Sequence, residues 1–425
     1  MSFHETRGMS ILLAALVWGD RPRPRRNAIC YPRPINRVCR SGLIKLGVSI
    51  MELSRRDLLT ASAIMLMRPM TGISAPLGAR VAAAPLGGGA EPMVLLCWNE
   101  NPYGPSPAAR AAIAQSIADG CRYPDDENPR LVNLLAEKEG LGPDHIVTGT
   151  GSGELLRALG MLAARQNGEI VAAEPTYAEL TNYARHTGAT LKLVPVDKQL
   201  RHDLSAMQAA VSAKTRAVYI CNPNNPTGTM VDSATIAAFV AALPDHVTTI
   251  IDEAYLEFVH GASSSVSLVT GPKRVVVLRT FSKLHGMAGI RYGYGIGRPE
   301  VIEEISAACM TTPNIFAVRG AIASLGDKEF LADCRGRIVA SRARLTAELA
   351  RLQFPYAEPY GNFVFFDTGV PLEQFTEFMR HRNIAVGRRF PPYENWCRVT
   401  IGTDPQINAF IEGVRAFRAS PAKAA

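Results

Sequence analysis

From Val94 onward the chain alternates short apolar runs with longer segments of helical period. The runs at 146–147, 170–173, 217–220 and 275–278 are continuously apolar and short, as strands buried on both faces are, and those at 191–196 and 249–251 are apolar apart from Lys192 and Thr249. Between them, 154–164 and 233–243 repeat apolar residues three and four apart, the spacing of a helix with one buried face. Strand, helix, strand repetition predicts an α/β fold with a mostly parallel sheet covered by helices. Past Pro313 the pattern changes. A long charged helical stretch around 329–352 leads into Asn362 to Asp367, a helical segment at 372–382 and a strand at 398–401, which predicts a smaller α+β domain. The expected organisation is an amino-terminal arm over 93–124, a large domain over 125–315 and a small domain over 316–420. No internal repeat or heptad pattern is visible.

The 425 residues suffice for two packed domains, and 47% hydrophobic with 20% charged residues is ordinary for an enzyme. The formal charge of +8 changes meaning once located: the surplus sits in the first 84 residues and the remainder is close to neutral. The body of the chain therefore has no electrostatic case for nucleic acid. Eight cysteines are scattered without a C-x-x-C or a Cys/His cluster, so neither a metal site nor a dense disulfide framework is expected.

Around Met51 the text is that of a leader. Ser54-Arg55-Arg56 precedes an apolar run at 58–67, a loose Ala/Gly/Pro stretch follows, and Ala82-Ala83-Ala84 offers a small-residue cleavage site. This resembles a twin-arginine export signal. The run is about half the ~20 residues needed to span a bilayer, which favours export over a permanent anchor. The expectation is that translation starts at Met51, that residues 1–50 are unstructured or not translated, that 51–92 are signal and linker, and that the twin-arginine machinery delivers the protein to the periplasm or beyond, with a cytoplasmic location as the alternative.

Three segments place reactive side chains just past predicted strands, where open α/β sheets bind ligands. The run 217–221 enters Asn222-Pro-Asn-Asn-Pro-Thr-Gly228, a stiff turn able to hold an Asn side chain. Thr249-Ile-Ile-Asp-Glu-Ala-Tyr255 sets a carboxylate after an apolar run with a phenol three residues on. Val275-Val-Val-Leu-Arg-Thr-Phe-Ser-Lys283 ends a strand with hydroxyls beside a lysine. A fourth segment, Thr148-Gly-Thr-Gly-Ser-Gly-Glu154, joins a strand to a helix start, whose amides and dipole suit a phosphate. A nucleophilic lysine, a carboxylate that can keep a pyridine nitrogen protonated, and a phosphate turn are the parts that pyridoxal 5′-phosphate (PLP) requires.

Taken in order, Asn99-Glu-Asn-Pro-Tyr-Gly-Pro-Ser106, Arg122-Tyr-Pro-Asp125, Glu174-Pro-Thr-Tyr177, the Asn222 turn, Asp252-Glu-Ala-Tyr255, Thr280-Phe-Ser-Lys283, Ala288-Gly-Ile-Arg291 and Arg398-Val-Thr-Ile-Gly402 resemble the fold-type I PLP-dependent aminotransferases, most closely the histidinol-phosphate aminotransferase group, over about residues 93–418. The resemblance implies the fold of that family, with a mostly parallel seven-stranded sheet in the large domain. It implies Lys283 as Schiff-base lysine, Asp252 as partner of the pyridine nitrogen, and Asn225 and Tyr255 as donors to the cofactor's phenolate oxygen. Tyr177 would stack on the ring; Ser152, Gly153, Ser282 and Arg291 would cradle the phosphate. Tyr123 would reach the neighbouring subunit's phosphate, which implies a homodimer. Arg398 would grip the substrate α-carboxylate, and Tyr103 would cover the substrate from the arm.

Arg388 and Arg389 read either as a grip on a distal group or as a solvated basic pair, and His285 as a packed or hydrogen-bonded side chain rather than an acid or base. The function implied is ping-pong transfer of an amino group between an L-amino acid, or a histidinol-phosphate-like amine, and a 2-oxo acid, with side-chain preference open. Other chemistry on the same scaffold (decarboxylation, racemisation, elimination) and a non-catalytic PLP-binding regulator are the competing readings.

Overall fold

The computed structural model describes residues 92–420. The basic segment 1–50 and the expected signal lie outside this range, apart from Pro92. In chain order the strands are β1 (Val94–Leu96), β2 (Ile146–Gly149), β3 (Glu169–Glu174), β4 (Thr190–Pro195), β5 (Thr215–Cys221), β6 (Thr248–Asp252), β7 (Arg274–Thr280), β8 (Gly293–Gly297), β9 (Phe363–Asp367), β10 (Ile384–Val386) and β11 (Trp396–Thr400).

Seven of them form one sheet in the order β2-β8-β7-β6-β5-β3-β4. The pairs from β4 through β7 are parallel, and β8 runs antiparallel to both β2 and β7. The mostly parallel sheet is therefore present as expected. Successive side chains of a strand point to opposite faces, and the buried residues divide accordingly. Ile251, Val275 and Val277 join Ile236 and Phe239 of helix Ser233–Ala242 in one core, while Ile250, Val276 and Leu278 join Leu155 and Leu159 of helix Ser152–Ala164 in another.

Strand β8 carried no hydrophobic signal because its sequence is Gly-Tyr-Gly-Ile-Gly. Its glycines are set by proximity: a Cβ on Gly293 would lie 2.3 Å from the Ser152 amide nitrogen. The turn after β2 thus passes directly over the start of β8.

The smaller unit has its own core, in which β9 and β11 pair antiparallel and the rings of Phe366, Phe375 and Phe410 meet edge to face. Each such ring removed from water contributes on the order of 2–3 kcal/mol. Two expected boundaries shift. Helix Ile315–Gly326 puts Ala317, Val318 and Ala321 into the sheet's core, whereas Cys334 and Ile338 of helix Lys328–Arg351 belong to the smaller one. The change of core falls within 322–333, not at 316, because proline marks a turn without saying which core the next helix packs on. The arm is also divided. β1 pairs in parallel with β10 and buries Leu96 in the smaller core, while helix Pro107–Gln115 packs against helix Ile315–Gly326.

Among the described residues no helix is long and apolar enough to cross a membrane. Their six cysteines are free and no cluster of metal-ligating side chains occurs.

Candidate active site

The register of the sheet decides which side chains meet. Cys221 of β5 pairs with Asp252 of β6, and Asp252 pairs with Leu278 of β7. The segments that follow these strands therefore leave the same edge. Strand β2, parallel to β7 through the intervening β8, brings its Thr150–Gly153 turn to that edge too. A cavity of about 830 Å³ opens there, with Lys283, Asp252, Tyr255, Asn225, Ser282 and Arg398 among its lining. Ser152, Gly153, Arg291, Tyr177 and Arg388 line it as well.

Lys283 extends its amine to within 3.2 Å of the Asn99 carbonyl oxygen. Burial, and next the positive charge of Arg398, lower its pKa from 10.5 to about 8. Asp252 is 2% exposed. Its Oδ1 accepts from the Ala254 amide at 3.1 Å and its Oδ2 from the Tyr219 hydroxyl at 3.1 Å. Burial raises its pKa to about 6, opposed by these hydrogen bonds and by Lys283. A cation or a protonated ring nitrogen in the cavity would favour the ionised form.

Of the asparagines in the turn after β5, two build the turn itself. Asn222 brackets Val231, donating to its carbonyl at 2.9 Å and accepting from its amide at 2.8 Å, and Asn224 donates to the Pro175 carbonyl at 3.0 Å. Asn225 faces the cavity and links two other groups: Arg398 Nη1 donates to its Oδ1 at 2.6 Å, and its Nδ2 donates to the Tyr255 hydroxyl at 3.4 Å. Arg398 also donates through Nη2 to the Cys97 carbonyl at 2.7 Å, yet its Nε has no partner and no carboxylate pairs with it among the described residues. A guanidinium 7% exposed and without a counter-ion calls for an anionic ligand.

The turn after β2 has the chemistry of a phosphate cradle. Helix Ser152–Ala164 begins without a side-chain cap on its first amides. Gly151 stands at φ 85, ψ 157, and a Cβ there would lie 2.4 Å from Arg291 Nη2, so a larger residue would push the guanidinium away. Arg291 is fixed by donating to the carbonyls of Ala288 at 2.7 Å and Thr150 at 3.3 Å. Ser282 is held by Thr280, whose Oγ1 accepts from the Ser282 amide at 3.1 Å. Glu154 closes the turn from behind, accepting from Thr150 and from the Thr311 amide at 2.8 Å.

An amine of lowered pKa, a buried carboxylate and a ready anion cradle around one cavity fit a phosphorylated pyridine aldehyde. Arg388 lies in the same cavity against the Phe390 ring, 4.4 Å from its centroid. Arg389 turns outward to Glu373 and Glu394. His285 is buried with Nδ1 2.7 Å from Ser324 Oγ and Nε2 3.6 Å from Glu257, so it is a hydrogen-bonded side chain as expected.

Two expected residues stand apart. Tyr103 does not line the cavity. Its ring lies under the Arg337 guanidinium at 5.2 Å and against the smaller core of its own chain. Tyr123 is 81% exposed and also outside the cavity of its own chain. Sequence reasoning missed Asn99, Tyr219 and Trp98. Asn99 lay inside a recognised motif, but Tyr219 lay inside an apolar strand and gave no signal.

The aminotransferase class I and II family model matches residues 91–414. The chain is 34% identical to a histidinol-phosphate aminotransferase of Moorella thermoacetica over 78% of this chain and 87% of that one. It is 36% identical to an aromatic amino acid aminotransferase of Mycobacteroides abscessus over 76% and 93% respectively. Among solved structures, the histidinol-phosphate aminotransferase of Sinorhizobium meliloti in complex with pyridoxal-5′-phosphate superposes with a TM-score of 0.71 at 27% identity, covering 76% of this chain and 92% of that one. The chain belongs to the class I and II aminotransferases and is a transaminase that uses pyridoxal 5′-phosphate.

Proposed function

We propose that this aminotransferase moves an amino group, by ping-pong exchange with a 2-oxo acid, from an L-amino acid with an anionic side chain or from a histidinol-phosphate-like amine, whose phosphate is its anionic group. The observation that carries this reading is a pair of guanidinium groups. Arg398 and Arg388 face the cavity that holds Lys283 and Asp252, both pack on Phe390, and neither has a carboxylate partner among the described residues. For an acidic amino acid Arg398 takes the α-carboxylate and Arg388 the distal anion; a histidinol-phosphate-like amine has no carboxylate and presents its phosphate to the pair. Relatives named for histidinol phosphate and for aromatic amino acids differ on the side chain, and Arg388 favours the charged class.

Bound in the cavity, PLP supplies a ring that withdraws the electrons left on the substrate α-carbon when its proton departs. Lys283 would hold the cofactor through Nζ and is placed to accept and return that proton there; its pKa near 8 suits both tasks. Asp252 would hold a proton on the ring nitrogen, Asn225 and Tyr255 would donate to the phenolate oxygen, and Tyr177 would flank the ring. The Ser152 and Gly153 amides, Ser282 and Arg291 would bind the phosphate. The exposure of Tyr123 supports a homodimer in which it reaches the neighbouring cavity, and Ser54-Arg55-Arg56 supports twin-arginine export to the periplasm.

A donor screen on PLP-loaded protein tests the substrate class. Truncating one partner of a charged hydrogen bond costs about 1.5–3 kcal/mol, so Arg388→Gln is expected to raise KM about 10- to 100-fold for glutamate or histidinol phosphate and to leave leucine and phenylalanine unaffected. An equal loss for both groups, or a wild-type preference for uncharged side chains, refutes the assignment.

A further inference from the structure

Asn99 is 1% exposed and adopts φ 55, a left-handed conformation that asparagine tolerates better than most residues. Its polar groups are engaged on three sides. The backbone amide donates to Thr400 Oγ1 at 2.9 Å, and Oδ1 lies 3.3 Å from the same hydroxyl. The carbonyl accepts from Lys283 Nζ at 3.2 Å and from Asn362 Nδ2 at 3.1 Å. Nδ2 donates to the Tyr255 hydroxyl at 3.1 Å.

The Thr400 oxygen accepts from the Asn99 amide and donates its own proton to Oδ1. The Asn99 side-chain amide is thereby held with Nδ2, a donor alone, against Tyr255. The Tyr255 oxygen has two acceptor positions, one filled by Asn99 and the other by Asn225. Its single proton must then be given away, and among the described residues it meets no acceptor. The charged and titratable groups around the phenol are Arg398 from β11, Cys221 from β5, Tyr177, and Lys283, whose Nζ is 5.4 Å from the ring centroid. None of these is drawn into a hydrogen bond with the hydroxyl.

We propose that Asn99 is a positioning residue: by filling one acceptor site of Tyr255 it turns the phenol proton into the cofactor cavity, and Thr400 fixes the direction in which it does so. The inference rests on the PLP reading of the cavity. It makes the arm part of the machinery that sets the proton affinity of the bound cofactor, and it explains why Asn99 is anchored to β11, the strand that also carries Arg398.

Replacing Asn99 by aspartate keeps the shape but exchanges the donor for an oxygen that can take the tyrosine's proton. The test is pH titration of the visible absorption of the bound cofactor in wild type, Asn99→Asp, Tyr255→Phe and the double variant. The expected result is a midpoint raised by about one unit or more in each single variant, with less than half of the Asn99→Asp increment surviving in the Tyr255→Phe background. The same increment in both backgrounds overturns the proposal, because aspartate would then act by its charge and not through Tyr255. Thr400→Val provides a neutral version if Asn99→Asp fails to fold. It is expected to raise the midpoint in the Tyr255 protein and to leave it unmoved in the Tyr255→Phe background; movement in both, or in neither, overturns the proposal. A wild type that shows no such band and acquires no pyridoxyl group on Lys283 under borohydride removes the cofactor reading itself, and this inference with it.

Discussion

The acidity of Lys283 in cofactor-free protein can be measured directly. Its pKa is lowered from 10.5 to about 8, first by burial and then by Arg398. At pH 7 this raises the neutral fraction of the amine from roughly 1 in 3000 to roughly 1 in 10, so the nucleophilic form is about 300 times more abundant than on a solvated lysine. Trace labelling with acetic anhydride across pH 6–11, followed by peptide mass spectrometry with the exposed Lys198 as internal reference, is expected to give a midpoint near 8. Arg398→Gln removes the neighbouring cation and should move the midpoint upward, but not back to 10.5, because burial is the larger cause. The same shift predicts the sign of a stability effect. Between pH 8 and 10.5 the unfolded chain binds more protons at this site than the folded one, so stability rises with pH through that window. Below pH 8 the cost of the buried ammonium is fully present. A Lys283 midpoint at or above 10 in the folded cofactor-free protein refutes the account of how this lysine becomes reactive.

Other outcomes follow from single residues. Gly151 occupies a backbone region open almost solely to glycine, where a side chain costs about 1–3 kcal/mol, and a Cβ would displace Arg291. Gly151→Ala is therefore expected to lower Tm and to weaken PLP retention on dialysis; unchanged retention would show that the turn holds no phosphate. Glu348 accepts from both Arg351 and Arg415, which lowers its pKa from 4.5 to about 2. Its stabilising effect is complete above pH 4.5 and is lost as pH falls through 2, so the Tm difference between wild type and Glu348→Gln should shrink across that interval, and a difference independent of pH would contradict the pairing.

The amino-acid sequence by itself determined the strands that are buried on both faces, since 217–220 and 275–278 are apolar at every position and can lie nowhere else. It also determined the chemical parts at their ends, because a lysine, a carboxylate and a glycine-rich turn in those places have few other uses. Tertiary structure decided which of those parts meet. Strand β8, written in glycines, has no hydrophobic period to announce it, yet it separates β2 from β7 and so sets where the phosphate turn stands relative to Lys283. Of the asparagines after β5, local sequence could not say which faces inward; the bonds of Asn222 to Val231 and of Asn224 to Pro175 settle that Asn225 does. The doubled Arg388-Arg389 was ambiguous until packing sent one to Phe390 and the other to Glu373 and Glu394. Asn99, Tyr255 and Thr400 are up to 301 residues apart in the chain and act as one hydrogen-bonded unit. Periodicity reports the burial of a residue's own neighbourhood, whereas a site of this kind is assembled from the ends of elements whose separation in the chain carries no trace of their distance in space.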